Sequence, residues 1–138
     1  MIIYTDGIFD LFHRGHIEFL NNIKNKYIEC TLIVGIINDN DSTKYKRKPI
    51  YNENDRYMII ENLKCVDQII KNAPLIINQD FIIKNKIDLI VHGFLNKEDI
   101  IKQKEFFKIP IELNIFESMP YYKYISTSDI IKKIKNNY

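Results

Sequence analysis

The chain has 138 residues and a mass of 16.5 kDa, with 46% hydrophobic residues, which is enough for one packed core and excludes two large domains. Charged residues reach 28% yet balance to a formal net charge of +2, which excludes an acidic disordered tail and a strongly basic nucleic-acid coat. Two cysteines without C-x-x-C spacing exclude a disulfide scaffold and a zinc knuckle, so Cys30 and Cys65 read as core thiols in a reducing, cytoplasmic setting.

The first apolar cluster, Ile2-Ile3-Tyr4, is short and β-branched and predicts a strand. After it comes a turn, Thr5 to His16, and then helical spacing at Ile17, Leu20 and Ile23. Residues 31–37 predict a second strand, and residues 38–51 form the longest irregular stretch; a loop of that length inside a compact domain is usually functional. A helix over 56–63 starts at Asn52-Glu53-Asn54-Asp55, a capping arrangement whose carboxylates suit the positive end of the helix dipole. Strands over 66–70, 88–91 and 109–113 alternate with helices over 79–86 and 99–107. A last helix over 127–136 opens at Ser126-Thr127-Ser128-Asp129, a hydroxyl three residues before a carboxylate. Strand and helix taking turns over the whole length predicts one α/β domain, residues 1–138, built on a parallel sheet of about five strands flanked by helices. No apolar run approaches the roughly 20 residues of a membrane span, and the N-terminus lacks a basic segment before a long apolar stretch, so the chain reads as soluble and unprocessed.

Chemistry concentrates in the turn after the first strand, Gly7-Ile8-Phe9-Asp10-Leu11-Phe12-His13-Arg14-Gly15-His16. Gly7 and Gly15 permit close backbone approach, and a helix starting near Gly15 offers free N–H groups to an anion. His13 and His16, three apart, can face one pocket and donate to phosphate oxygens. The segment is neither a Walker loop nor a dinucleotide fingerprint.

It resembles the G-x-F-D-x-x-H-x-G-H signature of the cytidylyltransferase family of the nucleotidyltransferase superfamily. Asn52 to Tyr57 is similar to the segment carrying the family's R-Y pair, Val66 to Ile70 to its V-D-E-V-V strand, and Ile125 to Ile131 to its G-I-S-T-[ST] helix start. The wording is closest to the choline-phosphate and ethanolamine-phosphate enzymes. The resemblance implies a Rossmann-like nucleotidyltransferase fold and a reaction in which CTP and a phosphorylated small alcohol give a CDP-alcohol and pyrophosphate. Mg²⁺ would accompany CTP, with no protein metal site and no organic cofactor. The partners implied are these small molecules and a second copy of the chain in a homodimer, with no nucleic acid and no stable membrane association.

The resemblance also assigns residues. His13 and His16 would hold the CTP phosphates and the transition state. Lys46, six residues before Asn52, falls on the family's catalytic lysine and would bridge the two reacting phosphates, with Lys44 and Lys48 as accessories. Gly7, Ile8, Phe9, Gly15, Lys64, His92, Ile125, Ser126 and Thr127 would contact the nucleotide. Arg56 and Tyr57 have two readings, a nucleotide or dimer contact and plain helix surface. The pattern breaks where relatives carry R-T-x-G before I-S-T, because Tyr121-Tyr122-Lys123-Tyr124 stands there; Lys123 is one replacement for the missing arginine, and the tyrosines read as core filler, a stacking platform or a dimer contact. Gly93-Phe94 stands where acidic or amide residues are usual. Leu75 replaces an aromatic residue of the choline enzymes, so the alcohol is not carried over. Two other readings stay open: an ATP-using relative with a similar H-x-G-H signature, and a nucleotide-binding module without turnover.

Overall fold

Parallel strands buried on both faces are continuous apolar runs, and two such runs form the centre of the sheet. In the computed structural model, which describes residues 1–138, β1 (Ile2–Gly7) pairs in parallel with β2 (Thr31–Ile36), from Ile2 opposite Thr31 to Gly7 opposite Ile36. β3 (Gln68–Ile70) lies outside β2, while β4 (Leu89–His92) lies on the other side of β1 and carries β5 (Phe116–Ser118) at its edge. The order β3-β2-β1-β4-β5 reverses direction between β1 and β4. Ligands bind open α/β sheets outside the carboxyl ends of the strands at such a reversal.

The helices are α1 (Arg14–Lys26), α2 (Asp39–Tyr45), α3 (Glu53–Glu61), α4 (Gln79–Lys84), α5 (Lys97–Gln103), which runs on into a 3₁₀ turn (Lys104–Phe107), α6 (Lys108–Glu112) and α7 (Thr127–Asn137). Asn38, Asn52, Asn78 and Asn96 each cap one of them, the side-chain oxygen accepting from the backbone N–H three residues on. Ser126 does the same for α7. Asparagine thus supplies four of the helix starts.

Side chains alternate across the sheet and build two cores. Ile3, Leu32, Val34 and Val91 face Phe19, Leu20 and Ile23 of α1 and Tyr57 and Ile60 of α3. Tyr4, Ile33 and Ile90 face Ile77, Ile82, Ile87 and Phe107. The Tyr4 hydroxyl is buried without a partner, in space that a Cβ at Gly35 would occupy, so residue 35 must lack one.

Two expectations are corrected. Residues 109–113 are not the last strand: they fall in and just after α6, and the strand is Phe116–Ser118. Pro110 has no N–H for a ladder, whereas within the first turn of a helix that N–H has no partner to lose. The stretch 38–51 is not irregular throughout, since Asn38 caps α2 and its Oδ1 accepts from Asp41 N–H at 2.7 Å.

Candidate active site

The turn after β1 is built on strained backbone. Phe9 (φ 56°) and Leu11 (φ 46°) both occupy the left-handed region, which costs a side-chain-bearing residue about 1–2 kcal/mol. Asp10 between them holds that shape. Its carboxylate accepts from the N–H groups of Leu11 (3.0 Å), Ile50 (2.7 Å) and Tyr51 (2.9 Å), and its carbonyl accepts from Thr127 Oγ1 (2.9 Å). The turn, the end of the basic loop and the start of α7 are therefore one assembly. Gly15 is required by space, because a Cβ there would lie 2.8 Å from the His13 ring and 3.1 Å from the Ile125 carbonyl.

His13 and His16 cap their own helix reciprocally. His13 Nδ1 accepts from Gly15 N–H (3.0 Å), and His16 Nδ1 accepts from His13 N–H (3.2 Å). An imidazole nitrogen that accepts carries no proton, so each ring has its hydrogen on Nε2 and is neutral. Neither Nε2 bonds to protein, and both residues line the cleft. The rings stack at 3.9 Å between centroids, with Phe12 stacked on His16 at 5.3 Å and Phe9 edge-on at 5.5 Å. Burial pushes His16 down to about 3, reinforced by His13 and Lys46, and burial also lowers His13, opposed by Asp129. The backbone thus presets two uncharged Nε2–H donors.

Lys46 sits one residue past α2 and lines both parts of the cleft. Partial burial lowers its ammonium from the usual lysine value, and the adjacent Arg47 guanidinium lowers it further. The loop that carries it is held by Arg56, which corrects both readings given to that residue: it is neither surface nor a ligand contact, but fully buried. Its guanidinium donates to the carbonyls of Tyr51 (3.1 Å), Ile8 (2.8 Å) and Ile37 (2.7 Å) and to Asp39 Oδ1 (2.7 Å). Arg56 therefore fastens the ends of β1, β2 and the basic loop together. Tyr57 is buried beside it, its hydroxyl accepting from Asn72 N–H at 3.1 Å.

The cleft has two compartments that share His16, Lys46, Tyr121 and Thr127. The outer one, about 490 Å³, runs past His13, Gly15, Phe94, Lys123 and the α7 start, Ile125 to Asp129. The inner one, about 120 Å³, is walled by Phe9, Tyr45, Phe106 and Tyr121, with Asp6 and His92 at its floor. A side-chain chain fixes that floor. Gln103 Nε2 donates to Asp99 Oδ1 (2.6 Å), which turns its Oε1 toward His92 Nε2 (2.9 Å) and makes that nitrogen the donor. His92 Nδ1 then faces Asp6 Oδ1 at 3.1 Å, both side chains being nearly fully buried.

The structure gathers His13, His16, Lys46, Gly7, Ile8, Phe9, Gly15, His92, Ile125, Ser126 and Thr127 at this cleft. Lys64 is not brought there: it is exposed in the turn before β3 and lines neither compartment, and Lys44 and Lys48, expected as accessories to Lys46, are likewise exposed and line neither. Tyr121 packs on Phe19 (5.1 Å between centroids) while forming part of the wall, so it is core and cleft together. Sequence reasoning passed over Asp10 as a clamp, and over Tyr45, Arg47 and Gln103 in the wall. Asp10, inside the Gly7–His16 signature, and Arg47, beside Lys46, carried a signal; Tyr45 and Gln103 carried none.

The sequence model described as Cytidylyltransferase-like matches residues 4–133, nearly the whole chain. The chain belongs to the cytidylyltransferase-like family. It is 34% identical to choline-phosphate cytidylyltransferase 2 of Arabidopsis thaliana over 99% of its own length and 45% of that protein's. It is 35% identical to ethanolamine-phosphate cytidylyltransferase of the same organism, over 99% of this chain and 33% of the relative. This cytidylyltransferase-like chain thus spans less than half the length of either curated relative. Among solved structures, the lipopolysaccharide core biosynthesis protein from Thermoplasma volcanium GSS1 superposes with a TM-score of 0.66 at 28% identity, covering 91% of this chain and 98% of that one. No helix of the chain is long and apolar enough to cross a membrane.

Proposed function

We propose that this chain transfers the cytidylyl group of CTP to the phosphate of a small phosphorylated amino alcohol. An oxygen of the acceptor phosphate attacks the α-phosphorus of CTP, the bond from that phosphorus to the bridging oxygen breaks, and pyrophosphate leaves with the electron pair. The observation that carries this reading is the convergence, where the two compartments meet, of the neutral His16 donor and the Lys46 cation, with His13 on the outer side. Preset donors at the reacting phosphorus stabilise charge as it grows without reorganising, and a lysine between two anionic reactants offsets their repulsion. No covalent protein intermediate enters the scheme.

The outer compartment, with Gly15, Phe94 and the α7 N-terminus, is assigned to the nucleotide. The inner compartment is assigned to the alcohol end of the acceptor. Leu75 does line it, yet Phe9, Tyr45, Phe106 and Tyr121 supply aromatic faces from other positions, and Asp6 supplies a carboxylate. A substituted ammonium group is held by such faces at about 0.5–2 kcal/mol per contact. The choline-phosphate and ethanolamine-phosphate relatives support the same class of acceptor. The protein's donors do not fit a protein-held divalent cation: no three His, Cys, Asp or Glu side chains converge as ligands, and the Asp10 carboxylate is committed to three amides. Mg²⁺ is proposed only as the ion that the triphosphate carries with it.

Pyrophosphate release from CTP or ATP with phosphocholine, phosphoethanolamine or glycerol 3-phosphate tests the assignment. CTP with either amino alcohol phosphate is expected to turn over at least tenfold faster than any pair containing ATP or glycerol 3-phosphate. Equal rates with glycerol 3-phosphate would remove the role given to Asp6 and the aromatic wall.

A further inference from the structure

The chain has three arginines, and one is fully committed. Arg56 spends its guanidinium on three carbonyls and Asp39, whereas Arg14 is exposed, meets Glu18 through Nε alone (3.3 Å) and lines neither compartment. Arg47 differs. It takes part in none of the ion pairs, and its one side-chain hydrogen bond runs from Nη1 to Ser128 Oγ (3.2 Å) at the start of α7. Arg47 itself lines the inner compartment and Ser128 the outer one, so its guanidinium lies where the two meet, beside the shared His16, Lys46 and Thr127.

The α7 start is itself short of acceptors. Ser126 Oγ caps Asp129 N–H (3.1 Å), which leaves the amides of Thr127 and Ser128, the first two residues of the helix, without an intrahelical partner. An uncommitted guanidinium, two free amides and the Lys46 ammonium therefore point to one polyanion.

We propose that Arg47 anchors the triphosphate of the nucleotide, reaching the start of α7 from the basic loop. The inference rests on the cytidylyltransferase reading. Arg47 thus joins the basic loop to the start of a helix 81 residues further on, and the triphosphate binds against both.

The test is calorimetric titration of CTP and of CMP, with Mg²⁺, into the wild-type protein and into Arg47→Ala, Arg47→Lys and Lys48→Ala, with thermal melting as a check on folding. Arg47→Ala is expected to weaken CTP by about 10- to 100-fold, the scale of one charged hydrogen-bonding group, and CMP by less than about threefold. Arg47→Lys should recover part of the loss as a point charge without the fork, and Lys48→Ala should bind as wild type. Equal CTP affinity in wild type and Arg47→Ala overturns this inference and leaves the cytidylyltransferase reading standing, as does an equal loss for CMP. A wild-type protein that binds no CTP overturns both.

Discussion

His16 is the residue whose two ring nitrogens do separate jobs, so its replacement separates folding from chemistry. Nδ1 closes the helix cap by accepting from His13 N–H, and Nε2–H is the free donor in the cleft. In His16→Asn the side-chain oxygen stands near Nδ1 and keeps the cap, but nothing reaches the position of Nε2. In His16→Gln an amide N–H reaches that position while the cap is lost, at about 0.5–2 kcal/mol of stability. Losing one preset donor to a growing oxyanion costs about 10²–10³ in turnover. His16→Asn should therefore melt near the wild type and turn over about 10²–10³ times more slowly, whereas His16→Gln should be less stable and faster than His16→Asn. Turnover is read by continuous pyrophosphate release at saturating CTP and acceptor, and stability by urea unfolding. The ring has a second signature. Folded His16 stays neutral to about pH 3, whereas the unfolded chain protonates it near its ordinary value of 6.5. Between those limits the unfolded state binds the extra proton, so stability falls as pH drops through the window, by at most about 1.4 kcal/mol per pH unit. His16→Asn, which does not titrate, should lose less stability between pH 7 and pH 4. Turnover by His16→Asn within a few-fold of wild type, or an unchanged pH dependence of unfolding, would refute the reasoning.

Four further outcomes follow from the geometry. Lys46→Ala should lower turnover and raise the KM for acceptor, while Lys48→Ala, which lines neither compartment, should change neither by more than about twofold, read by steady-state pyrophosphate release. Arg56→Met should cost about 3–5 kcal/mol in urea unfolding, because a fully buried guanidinium and its four acceptors lose one another, and loss of activity should track unfolding. Gly35→Ala should destabilise by about 1–3 kcal/mol through overlap with Tyr4, again by urea unfolding. Tyr45→Leu should lower kcat/KM for phosphocholine by about 3- to 30-fold and leave CTP binding by calorimetry unchanged, since the ring walls only the inner compartment.

What was legible in the sequence had local causes. The β-branched runs of β1, β2 and β4 announce buried parallel strands, and the caps at Asn52 and Ser126 mark real helix starts. The Gly7–His16 turn identified its own place because strand, glycine and paired histidines are neighbours in the chain. β5 was missed because three residues, Phe116–Ser118, leave almost no periodicity, while Ile109-Pro110-Ile111 imitates it. Arg56 was misread because a helix with polar neighbours looks exposed until the ends of β1 and β2 arrive from elsewhere with carbonyls to satisfy. The inner wall had the same difficulty: Tyr45, Phe106 and Tyr121 are far apart in sequence and converge only when α2, the 3₁₀ turn and the segment before α7 pack at one sheet edge. The role of Leu75 shows the cost of judging one position alone, since the aromatic surface missing there is supplied by its neighbours in space.

Phosphorus NMR of CTP, Mg²⁺ and phosphoethanolamine or phosphocholine incubated with the protein tests the central claim most directly, because it observes the bond that forms and the group that leaves. The account predicts a new diphosphodiester signal and pyrophosphate growing in equal amounts, slowed by about 10²-fold or more in His16→Asn. Binding of CTP without either signal, or signals unaffected by that substitution, would contradict it.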